Sequence, residues 1–82
     1  MKCIGGPMDG REVKEHVGVI AVAGYDDMLY FSTLPTDTDW RDHWDYDWWM
    51  YGRPRPATPP RVYEWHERGW QSPEVRAIRA AL

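Results

Sequence analysis

Any chemistry in this chain of 82 residues would have to come from a few side chains: one cysteine, Cys3; three histidines, His16, His43 and His66; and a run of aspartates in the middle. A cysteine acts as a nucleophile through its thiolate, which a helix N-terminus or an adjacent base would have to stabilise. Neither stands beside Cys3, so it reads as a small apolar residue of a first strand. A lone cysteine also makes neither an internal disulfide nor a cysteine-ligated zinc site. The histidines fall in three separate segments without the one-turn spacing of a helical metal pair. Asp37-Thr38-Asp39 opens like a calcium loop, but that loop needs an acid or Asn at position 41, Gly at 42 and Glu at 48. Here those positions hold Arg41, Asp42 and Trp48. Gly5-Gly6-Pro7 is followed by neither the Lys-Ser/Thr pair nor the helix of a phosphate-binding loop. The expectation is a protein that is not an enzyme and that uses no cofactor and no metal.

What stands out instead is aromatic content beside segregated charge. Six Trp and five Tyr are many for this length, since folding so short a chain hides only about 60% of its unfolded surface. Residues 26–47 carry seven Asp against Arg41 alone, whereas residues 52–82 carry six Arg against Glu64, Glu67 and Glu74. The acidic block and the basic tail can attract each other within one molecule or between two, which allows a homo-oligomer. A net charge of −3 makes a direct nucleic-acid binder unexpected, because neutralising phosphates drives most of that affinity. No apolar run approaches the ~20 residues of a membrane span, and the opening residues do not read as a signal peptide. A cytoplasmic location is expected.

The elements that would position these groups follow from turn and period. Pro7-Met8-Asp9-Gly10 is strong turn chemistry, predicting a hairpin over residues 2–16 whose returning arm, 11–14, is an edge strand. Residues 17–25 are apolar on both faces and β-branched, which predicts a central strand. A further strand runs from Met28 to Leu34, and Pro35 stops it. Residues 36–51 fit two periods. Trp40, Trp44 and Trp48 lie four apart, a helical stripe with Thr36, Asp37 or Thr38 as cap. Trp44-Asp45-Tyr46-Asp47-Trp48 alternates as a strand would. The favoured reading is a short helix near 37–45 and extended chain over 46–51. Four of the seven prolines lie in 52–61, which predicts a stiff polyproline-like connector that can lie over the Trp-rich block. Its Arg53, Pro56 and Pro59 also fit the spacing of ligands for proline-binding grooves. Residues 62–68 resume strand alternation. Ser72-Pro73-Glu74 then starts a helix with Val75, Ile78 and Leu82 on one face, which should dock on the sheet. The fold class expected is α+β. Residues 1–82 form one domain with a small antiparallel sheet of four to five strands, a C-terminal helix and a short Trp-rich helix.

The opening Met1-Lys2-Cys3-Ile4-Gly5-Gly6-Pro7-Met8-Asp9-Gly10 resembles that of a group of small actinobacteriophage proteins, which begin with a Gly-Gly-Pro-x-Asp-Gly hairpin. Arg61-Val62-Tyr63-Glu64-Trp65 resembles the aromatic strand such proteins carry near their end. The likeness covers those fifteen residues and leaves the middle of the chain unmatched. It implies a phage-encoded protein that works in the host bacterial cytoplasm by binding a host protein.

Together these readings predict an interaction module. Trp44, Trp48, Trp49 and Tyr51 would anchor a host protein, and Asp42, Asp45 and Asp47 would steer it. In the alternative the protein is an acidic decoy, its aspartates standing in for phosphates before a nucleic-acid-binding protein.

Overall fold

The computed structural model describes residues 1–14, 17–36 and 40–82. Glu15, His16 and residues 37–39 lie outside them, and with them the expected helix caps Asp37 and Thr38 and the start of the rejected calcium loop. The elements in chain order are β1 (Lys2–Ile4), β2 (Val19–Ala21), β3 (Met28–Thr33), α1 (Trp40–Tyr51), β4 (Val62–Glu67) and α2 (Pro73–Ala81). The four strands form one sheet in the order β1-β4-β3-β2. With two helices this is the small α+β fold expected. The sheet is mixed, however: β4 pairs antiparallel with β3 and parallel with β1.

The parallel pairing arises because the arm returning from the first turn does not build a strand. It covers the outer edge of β1 through an isolated bridge, Lys2 with Glu12. Around that bridge Cys3 N–H donates to Arg11 C=O and Gly10 N–H to Cys3 C=O, both at 2.8 Å. The inner edge of β1 is left for β4. Residues 17–25 are not the centre of the sheet either. Only Val19–Ala21 pair, as the strand opposite the β1 end, with Val19 about half exposed. The chain turns immediately afterwards, Tyr25 N–H donating to Val22 C=O and Gly24 taking a φ of 88°. The centre belongs to β3 and β4, where Tyr30 and Tyr63 bury far more surface than valines can.

Strand alternation and register separate two faces. One carries Cys3, Tyr30 and Tyr63, fully buried, with Ile20, Trp65, Met8 and Val13 packed against them. The Gly5–Gly10 turn closes over this face because two rings are built to receive it. The Tyr30 hydroxyl donates to Gly5 C=O and accepts from Met8 N–H, each at 2.7 Å. A Cβ on Gly6 would come within 2.6 Å of the Trp65 ring and 2.8 Å of that hydroxyl, and its φ is +65°. Glycine is the only residue that fits. Burial pushes the Tyr30 hydroxyl above its ordinary pKa, keeping it protonated for both bonds.

The other face carries Val62, Glu64, His66 and Phe31. It is covered in parts by α1, by residues 34–36 and by Trp70, whose ring stacks on His66 at 3.8 Å. Helix α2 is capped as expected, the Ser72 hydroxyl accepting from Val75 N–H. It does not bury a side chain against the sheet. Instead Glu74 ties it down, accepting from Leu34 N–H at 3.0 Å and from Arg61 at 2.9 Å. Those two donors hold the Glu74 carboxyl below the usual range.

Two glycines of the first turn separate sterics from backbone strain. Gly6→Ala is expected to cost about 3–5 kcal/mol, adding overpacking to the left-handed strain. Gly10→Ala, where an added Cβ meets nothing within 4 Å, should cost only about 1–2 kcal/mol. Urea unfolding of both variants checks this, and equal losses would contradict the packing against Trp65.

Candidate functional site

Helix α1 is the distinctive element, and it runs further than expected. The chain stays helical through 46–51 and stops at Gly52, whose φ is +68° and whose N–H donates to Trp48 C=O at 2.9 Å. Glycine just past the last turn with Pro54 beyond it is a helix stop. Aspartate's poor helix propensity does not outweigh twelve residues that otherwise carry no breaker.

One polar contact sets the orientation of α1. Lys2 of β1 is 4% exposed, so its ammonium needs a partner inside the protein. It finds Asp47 Oδ2 at 2.7 Å and His43 C=O at 3.0 Å, and sits 5.2 Å from the centroid of the Trp44 ring. Asp47 is itself 8% exposed. His43, Trp44 and Asp47 share one side of a helix, and Lys2 turns that side to the sheet.

The consequence appears along the rest of the helix. Trp48 is 60% exposed, Trp49 78% and Tyr51 65%, with Tyr46 and Met50 about half exposed beside them. Tyr46 and Trp49, three apart, hold their rings at 6.4 Å. Arg53 lies over Tyr51 at 5.9 Å and pairs with Glu12 at 3.1 Å, and Arg55 pairs with Asp45 at 3.3 Å. Arg55 therefore brings one point of the proline connector, and of the basic tail, back to the acidic block within one molecule.

Of the seven residues expected to form the site, Trp48, Trp49 and Tyr51 are exposed, Trp49 on the side away from Lys2 and Tyr51 one turn beyond Asp47 at the helix end, and Asp42 and Asp45 are exposed on the same helix. Trp44 is half-buried towards Lys2, and Asp47 points inward as its counter-ion. The expected four-residue Trp stripe divides, Trp44 inward and Trp48 outward. The readable clue was Lys2 itself, a lysine inside a strand whose neighbours Cys3 and Ile4 are apolar, which requires a carboxylate from elsewhere.

A second cluster had no signature in the sequence. Glu64, 4% exposed, accepts from Thr36 N–H at 2.8 Å and from Thr36 Oγ1 at 2.6 Å, and His66 Nε2 lies 2.9 Å from it. The carboxylate holds residues 34–36 against β4. Cys3 is fully buried, and burial pushes its thiol above the ordinary value, the protonated and unreactive form. Among the described residues no three His, Cys, Asp or Glu side chains converge to hold a metal ion, and no helix is long and apolar enough to cross a membrane.

The chain matches no family model, and no curated protein and no solved structure is similar to it.

The contrast between Asp47 and Asp45 is measurable. Asp47→Ala leaves a buried ammonium unpaired and is expected to cost about 3–5 kcal/mol. Asp45→Ala removes an exposed pair and should change stability by less than about 1 kcal/mol. Equal effects in thermal unfolding would contradict the inward placement of Asp47.

Proposed function

We propose that this protein is a non-enzymatic interaction module that docks a host bacterial protein through the outward side of α1 and modulates it. The observation that carries the reading is the exposure of Trp48 and Trp49, with Tyr51 at the helix end, on one short helix that Lys2 and Asp47 tie to the sheet. Large rings left in water next to charge have the composition of interface hot spots, where Trp and Tyr dominate the binding energy. Their helix is anchored, so docking would not have to order it first. Asp42, exposed beside them, gives the patch an acidic border suited to a partner with basic residues. The resemblance of the opening hairpin to actinobacteriophage proteins is the reason to expect a bacterial host and its cytoplasm.

The acidic-decoy reading draws less support. A phosphate mimic needs a spaced array of free carboxylates, whereas Asp47 is buried against Lys2 and Asp45 is paired with Arg55.

Affinity capture from actinobacterial lysate tests the proposal, comparing the wild-type chain with Trp48→Ala/Trp49→Ala. The double variant should keep its circular dichroism and melting temperature and lose a specifically captured host protein. A prey retained undiminished by the folded double variant would overturn the reading. Loss of capture already at moderately raised salt, with the tryptophans dispensable, would favour the decoy.

A further inference from the structure

The two edges of the sheet are treated differently. The outer edge of β1 is closed by residues 10–13, as described above. The outer edge of β2 has no strand beside it among the described residues. Ser32 N–H donates to Gly18 C=O, so alternation directs Gly18 and Ile20 towards β3 and the backbone groups of Val19 and Ala21 away from it. Bare edges are ordinarily protected by shortness, charge, proline or a bulge. Residues 17–25 contain no charged residue and no proline, so the shortness of β2, three residues, is the one such device at this edge.

The surface beside this edge is apolar too. Val17, Val19 and Phe31 on the sheet face Trp70 and Val75 across a groove of about 510 Å3. Val17 and Val19 are about half exposed, and Ile78 of α2 is 63% exposed.

We infer that the protein forms a twofold dimer by antiparallel pairing of β2 with β2 of a second copy. A bare backbone edge is a template for pairing with another strand, and this one is complementary to itself. About a twofold axis through Ile20, Val19 of each copy exchanges backbone hydrogen bonds with Ala21 of the other. Small apolar side chains meet there, and no like charges are brought together. The result is a continuous eight-stranded sheet with β1 at both ends, each end already closed by residues 10–13. The two α1 patches remain free at its extremities, so the dimer is bivalent for the partner proposed above but does not depend on that proposal.

Sedimentation equilibrium of the full chain is expected to give a dimer that dissociates on dilution. Val19→Lys, which changes a side chain already half in water, should keep the circular dichroism and run as a monomer. Trp48→Ala/Trp49→Ala should remain dimeric. Independently of any variant, the Val19 and Ala21 amides should gain protection from hydrogen exchange as protein concentration rises. A wild-type monomer at every concentration, exchange at those amides unaffected by concentration, a folded Val19→Lys dimer, or dissociation caused by the tryptophan changes would each overturn the inference.

Discussion

The ammonium of Lys2 is out of water, and much of the rest of the molecule follows from where it finds its counter-charge. A buried ion pair adds little net stability over a well-packed apolar contact, but it is expensive to break, so it selects one arrangement among several of similar energy. Helix α1 is a case where such selection is needed. It carries aromatic rings all around and aspartates on more than one side, so hydrophobic patterning alone does not decide which side faces the sheet. Asp47 decides it, with His43 C=O and the Trp44 ring completing the ammonium's surroundings. Turning that side inward leaves Trp48 and Trp49 outside, and Tyr51, one turn past Asp47, is exposed at the helix end. The proposed docking surface is thus the complement of an internal electrostatic requirement.

The sheet beneath is held by a different device. Tyr30 and Trp65 form a template on which the first turn is laid, one ring through two hydrogen bonds and the other through contact that only Gly6 permits. The closed turn brings residues 10–13 against β1, and β1 in turn presents Lys2 to α1. Local turn chemistry, aromatic packing and the buried ion pair are therefore linked in sequence, from the Gly-Gly-Pro-Met-Asp-Gly segment to the orientation of the distant aromatic patch. At the opposite edge nothing comparable among the described residues covers β2, where the sequence of the sheet is most apolar.

Much of this was legible in the residues. The turn at Pro7-Met8-Asp9-Gly10, the strand beginning at Met28, the strand at 62–67 and the Ser72 cap of α2 are all specified by local chemistry. What could not be read were choices made by tertiary competition. Residues 17–25 have the composition of a central strand, but two tyrosine-bearing strands outcompete them for the centre. The alternation of Asp with aromatics predicts extended chain over 46–51, whereas the helix runs on to Tyr51 and Gly52 marks the stop. Asp47 was grouped with Asp42 and Asp45 because nothing local distinguishes it. Its difference lies in a partner 45 residues away. The Glu64–Thr36–His66 contacts are invisible for the same reason, since Thr36 comes from a different segment than Glu64 and His66.

The claim on which the account rests is that Lys2 holds α1 to the sheet. Amide hydrogen exchange over Trp40–Tyr51, compared between the wild-type chain and Lys2→Met, tests it most directly. The account predicts that α1 amides lose protection by orders of magnitude in the variant while β3 and β4 retain theirs. Unchanged protection across α1 would contradict it.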